Sequence, residues 1–293
     1  FTSIRCSRYP LLYLEQIQSN SGYSRALARM TGFRIHFSPM FKVIPVTVLA
    51  FVFILIGGRF SVFAEDSKVL DDMVLIKAGT FQRGCNRFGP KHGAPEQKVH
   101  LDSYWIDKYE ITNKKFEEIF PEHNLRRSIF SDCDDCAVSK VSWYEAADYC
   151  HIIGKSLPSE AQWERAAGNG NGCDFHWGDG FDLMNPPARG GLKLQDKAFP
   201  VGSFSPNQNG LYDTAGNVWE WVSDWFSIRF YYADIMHNPR GPVTGVMKVR
   251  RGGSWSDSVK AMASGYRDWS YPQSRGFTDI GFRCSINMKP GDK

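Results

Sequence analysis

The chain has 293 residues, 42% of them hydrophobic and 23% charged, with a formal net charge of +4. That length allows one or two domains, but the charge is unevenly placed, +6 in the first 64 residues and −2 in the rest. A basic excess confined to one end excludes a general nucleic-acid-binding surface.

Residues 1–39 show no sustained apolar period and lie ahead of a candidate start at Met40, with Met30 as the other. They are read as an upstream or disordered leader and set aside. Val43 to Gly58 is an uncharged apolar run of sixteen residues behind Lys42, and it ends near Val62-Phe63-Ala64. A basic start, an apolar centre and a small residue predict a signal peptide over 40–64, cut after Ala64. Sixteen residues are few for a spanning helix, which needs ~20, so a membrane is a partner only through an uncleaved signal anchor. The expected location is periplasmic or secreted, with a linker at 65–71, one domain at 72–288 and a tail at 289–293.

Met73 to Gly84 alternates loosely between apolar and polar residues and is cut by Gly79 and Gly84, which predicts a strand pair opening the domain. Val99 to Tyr109 continues in strand style. Thr112 then caps a helix that puts Phe116, Ile119 and Phe120 on one face. Ser142 and Glu145 form a capping box, followed by Ala146, Tyr149, Cys150 and Ile153 on one side. Ser159 and Gln162 repeat the device for a helix anchored by Trp163 and stopped at Gly168. Beyond Gly168 the periodicity fades and Gly, Asn, Asp and Pro crowd the chain, so order there must come from something other than ladders.

Six cysteines follow the signal: Cys85, Cys133, Cys136, Cys150, Cys173 and Cys284. An even number in an exported chain reads as disulfides. Cys133 and Cys136 would be half of a zinc site, but no second pair follows at ligand spacing.

The densest stretch is Gly210 to Trp225, GLYDTAGNVWEWVSDW. Each of Trp219, Trp221 and Trp225 removes on the order of 150–250 Å² from water when buried. Asp213 and Glu220 stand among them and must be paired, hydrogen-bonded or metal-bound. The intervening turn can aim carbonyls at one point, and such oxygen ligands suit calcium. The alternative pairs Glu220 with Arg250 or Arg251 and leaves Asp213 capping a turn.

This stretch, with RRGGSW at Arg250 to Trp255, GFRC at Gly281 to Cys284, and upstream MVLIKAGTFQRG, VSWYEAADYC and GKSLPSEAQWERAA, resembles the formylglycine-generating enzyme (sulfatase-modifying factor) family. The resemblance runs from about Asp72 to Ser285. It implies an α+β fold, a C-type-lectin-like variant with low regular secondary structure, and a disulfide between Cys150 and Cys284. It also implies a calcium site from the side chains of Asp213 and Glu220 and the carbonyls of Gly216 and Val218. A second, weaker calcium site would start at Asn185 and Pro186, but its aspartate position falls on Lys193, with Asp196 as the substitute.

The oxidases of this family bind copper through two cysteines, and those positions fall here on Asp257 and Met262. A hard oxygen and a neutral thioether do not make a copper thiolate site, so copper is not expected. A second family pair is replaced together, at Ala167 and Ser264, and Ser156 stands where the family has arginine. Related domains serve iron oxygenation with ligands from a further helical domain, but His92, His100, His123, His151, His176 and His237 show no facial-triad spacing. Each reads as a surface or hydrogen-bonded histidine. The implied groove is rimmed by Trp255, Asp257, Met262, Tyr266 and Arg267 and would hold a protein or peptide ligand. Two functions follow: a calcium-stabilised binding or accessory module without copper, or a periplasmic oxidase in protein cysteine-to-formylglycine maturation or pyoverdine-type tailoring.

Overall fold

Helices begin where a side-chain oxygen can accept one of the first free amides. In the computed structural model, which describes residues 70–288 except 169, 171, 174, 176–196 and 234, Thr112 caps α1 (Asn113–Glu117) by accepting from Lys115 N. Ser142 with Glu145 and Ser159 with Gln162 make complete capping boxes for α2 (Trp143–Ile152) and α3 (Glu160–Ala167). The first helix is shorter than its apolar period predicts. Ile119 and Phe120 lie past its end, held by hydrogen bonds to the Phe116 carbonyl, and pack on the same core.

Nine strands in three sheets complete the described residues. β1 (Met73–Ile76), β4 (Tyr104–Asp107) and β9 (Ser285–Asn287) form one sheet, and β2 (Gly79–Arg83) pairs with β3 (Gln97–Leu101) in another. Met73 to Gly84 therefore supplies two strands, as its alternation predicts, but they do not pair with each other. β1 is antiparallel to β4 with Met73 opposite Asp107, and β2 is antiparallel to β3 with Gly79 opposite Leu101. Ile76 and Phe81 still share a core with Val99, Leu101, Tyr104 and Ile106, so apolar burial joins the two ladders.

The third sheet runs β7 (Arg267–Ser270), β6 (Lys248–Arg251), β5 (Trp219–Trp225) and β8 (Ile280–Phe282). β5 is an inner strand, antiparallel to β6 and parallel to β8. Its first four residues are buried, which explains why Trp-Glu-Trp-Val lacks the alternation of a half-solvated strand. Trp219 and Trp221 join Phe116, Tyr149 and Phe282 in the main core. Gly281 is required by close approach, since a Cβ there would sit 2.3 Å from the Val138 carbonyl oxygen.

Three disulfides are present: Cys150–Cys284, tying α2 to the link between β8 and β9, Cys85–Cys173 and Cys133–Cys136. Every described cysteine is thereby consumed. No helix among the described residues is long and apolar enough to cross a membrane.

Candidate functional site

β5 carries Glu220 into the centre of the domain, where its side chain is fully buried. Arg283 grips it with Nε and Nη2, each 2.7 Å from a carboxylate oxygen, and Trp163 Nε1 adds a third donor at 2.7 Å. The partner is therefore neither Arg250, which binds Asp268 at 2.6 Å, nor Arg251, which binds Glu164. Register explains the choice. Glu220 stands opposite Gly281 on β8, and Arg283 lies two residues on, hence on the same face. Arg251 is opposite Glu220 on β6 but is drawn to the carboxylates of α3.

Two further carboxylates share this centre. Asp213 is buried, at φ 58°, and accepts from Gly202 N at 2.6 Å. Burial, with Glu220 adding repulsion, pushes its carboxyl up to about 6. Glu110 accepts from Val218 N at 3.2 Å and from the Asn217 amide. Burial first, then Asp213 and Glu220, hold its carboxyl well above the usual range. Three buried carboxylates thus share one guanidinium, and the excess negative charge surrounds the turn that carries Gly216 and Val218. Such an all-oxygen, over-acidic donor set fits a hard divalent cation. Glu110 went unread as a member because it lies 103 positions before Asp213; its Tyr-Glu-Ile-Thr context after a strand was the available signal. Asn185, Pro186, Lys193 and Asp196 lie outside the described residues.

The groove residues divide. Asp257 accepts from Trp219 Nε1 at 2.8 Å and from the Ser254 hydroxyl, whose oxygen is also 2.9 Å from Asp279 Oδ2. Ser254 and Asp279 were not singled out from the sequence. Trp255 stacks on Phe130 with centroids 5.0 Å apart, and its buried Nε1 has no hydrogen-bond partner. Tyr266 is half-buried and stacks on His92 at 4.8 Å. Beside it, Phe88 helps line an open cleft of about 410 Å³ with Arg87, Cys173, Phe175 and Lys260.

Met262 and Arg267 are not rim residues. Met262 is 1% exposed and packs on Ala215 and Phe175, because an uncharged thioether gains more from the core than from water. Arg267 is 1% exposed and makes two bonds to Glu160, at 2.7 and 2.9 Å, since a buried guanidinium requires a buried partner. The family's copper positions therefore hold a carboxylate engaged by Trp219 and Ser254 and a thioether in the core. This pair does not fit a copper thiolate centre.

The histidines also divide. His123 is buried between Glu117 and Ser139, at 3.1 and 2.9 Å, and His92 contacts the Arg267 carbonyl at 3.0 Å. His151 is exposed, and His176 lies outside the described residues. His100 and His237 are hydrogen-bonded near the surface, as expected, but the fold also brings both to Asp102. A chain separation of 137 positions hid that meeting.

The sequence pattern of the sulfatase-modifying factor enzyme 1-like domain matches residues 59–288. The chain is similar to the serine/threonine-protein kinase pkn1 of Chlamydia pneumoniae, 32% identical over 244 residues, covering 75% of this chain and 38% of that protein. It thus spans well under half the length of that kinase. It is also similar to the formylglycine-generating enzyme of Bos taurus, 28% identical over 286 residues, covering 74% of this chain and 75% of the enzyme. Among solved structures, Treponema denticola variable protein 1 superposes with a TM-score of 0.62 at 26% identity, covering 73% of this chain and 94% of that one.

Proposed function

Since the chain belongs to the sulfatase-modifying factor enzyme 1-like family, we propose that it is an exported binding or accessory module of that family, stabilised by calcium and independent of copper. The observation that carries this reading is the state of the sulfur. Every described cysteine is in a disulfide, and the two family copper positions are Asp257 and Met262, so no described thiolate is free to hold Cu(I). Asp213 and Glu220, with the carbonyls of Gly216 and Val218, would hold the calcium, which would offset the charge that Arg283 leaves unbalanced. Trp255, Asp257 and Tyr266 then offer an aromatic and hydrogen-bonding surface for a protein or peptide ligand.

A second reading rests on the likeness to enzymes named for generating formylglycine: an exported oxidase in protein cysteine-to-formylglycine maturation or pyoverdine-type tailoring. One experiment separates them. The purified chain is analysed for metal and assayed for oxygen uptake with copper and a cysteine-containing sulfatase-motif peptide. Bound calcium without copper-dependent uptake is the expected result. Stoichiometric copper with peptide turnover would overturn the binding-module reading.

A further inference from the structure

On the opposite bank of the sequence from the tryptophan-rich centre, the edge strand β3 meets a returning segment. His100 N donates to the Met236 carbonyl at 2.7 Å, and Asn238 N donates to the His100 carbonyl at 2.9 Å. This two-bond parallel bridge sets His100 beside His237, and their rings stack with centroids 5.1 Å apart and planes 14° apart. Asp102 lies two residues beyond His100, just past the end of β3, and its carboxylate comes near both rings.

Asn238 holds the third member. Its Oδ1 accepts from Asp102 N at 3.0 Å, and its Nδ2 donates to Asp102 Oδ2 at 2.7 Å. That clamp occupies one carboxylate oxygen and leaves the other, Oδ1, 3.4 Å from His237 Nε2. Asn238 does this from φ 44°, a left-handed conformation that asparagine tolerates better than most residues. On the other side, Thr80 Oγ1 lies 3.2 Å from His100 Nδ1.

We infer that His100, His237 and Asp102 form a binding site for a divalent first-row transition metal, with Zn²⁺ as its simplest occupant. Two imidazoles and one carboxylate are ligand types that such ions take. One ligand atom from each residue lies within 4.8 Å of the others. The 3.4 Å between His237 Nε2 and Asp102 Oδ1 is already about the edge of a tetrahedron around an ion ~2.1 Å from each ligand. His237 and Asp102 are exposed, so the His237 ring can turn out of the stack to aim its nitrogen at an ion shared with His100 and Asp102, and solvent can fill the fourth position. The bound ion would reinforce the two backbone bonds that hold the 235–238 segment on the edge of β3. The site is separate in residues from the proposed calcium centre and from the groove, and its ligands are softer than those of calcium.

The test is a calorimetric titration of Zn²⁺ into the full chain with calcium in excess, alongside His237→Gln, Asp102→Asn and the control His151→Gln. One Zn²⁺ per chain is expected, with affinity at least tenfold weaker in the first two variants and unchanged in the control. Equal affinity in wild type and His237→Gln would overturn the site. Hydrogen exchange on the unsubstituted chain supplies a readout that no folding defect can mimic. Zn²⁺ should slow amide exchange at 98–102 and 235–238 at least tenfold, whereas an unchanged rate there would also overturn it.

Discussion

Asp224 shows what burial does to one carboxyl. It sits one residue before Trp225 on β5, fully inside, and accepts from Glu160 N at 2.8 Å. Burial, reinforced by the neighbouring Glu160 charge, pushes its carboxyl from 3.8 up to about 6. Between those two values the folded chain keeps a proton that the unfolded chain has released, so rising pH favours unfolding. At about 1.4 kcal/mol for each pH unit, the loss from this group amounts to at most about 3 kcal/mol. Asp224→Asn keeps an oxygen acceptor for Glu160 N and removes the titration. Urea unfolding of both proteins from pH 4 to 6.5 should show the variant gaining on the wild type as pH rises. A constant difference across that range would show that Asp224 ionises in the fold at no cost.

At the scale of elements, the helices were legible because their signals are local. The capping boxes at Ser142 and Ser159 and the cap at Thr112 each lie within four residues, and the structure repeats them atom for atom. Pairing was not legible in the same way. Met73 to Gly84 reads as two strands, yet their partners lie 14 to 34 residues away, and alternation carries no information about which ladder a strand joins. The carboxylate centre failed likewise: the sequence leaves Glu220 paired, hydrogen-bonded or metal-bound, with Arg250 or Arg251 as the ion-pair alternative, and Arg283 reaches it through a parallel register that residue types do not encode. Met262 and Arg267 were misplaced because a position inherited from a family's groove says nothing of the replacement's own preference for burial.

The disulfides bring a further element-scale expectation. Cys150–Cys284 closes a separation of 134 residues between α2 and the last part of the sheet, whereas Cys133–Cys136 closes one of three. Loop-closure entropy grows with the span, so removing the long link should cost roughly 2–5 kcal/mol and removing the short one at least about 1 kcal/mol less. Urea unfolding of the two double Cys→Ala variants measures both. A short-link variant that loses as much as the long-link variant would show that chain entropy is not what the long bridge contributes.

Over the whole molecule, order is distributed unusually. The described residues have short helices and strands, and stretches such as 197–218 and 252–266 that lie outside the named strands. The substitutes are visible: tryptophan indoles bonded to Glu220, Asp257 and the Val141 and Val222 carbonyls, and arginines buried against carboxylates at Glu160, Glu164 and Glu220. Charges placed so deep make the fold sensitive to any imbalance among them, and the centre at Glu110, Asp213 and Glu220 is unbalanced by design of its residues. Calcium bound there would stabilise only the folded chain. By mass action the gain is about 2.7 kcal/mol when free calcium reaches a hundred times its dissociation constant. Thermal unfolding of the chain should therefore shift upward with calcium and return on chelation, and Asp213→Ala should abolish the shift by removing a ligand. Asp257→Ala, which removes a carboxylate on the groove side, should retain it. A calcium shift that survives in Asp213→Ala would place the ion elsewhere and leave Glu110 and Asp213 as carboxyls whose ionisation burial opposes.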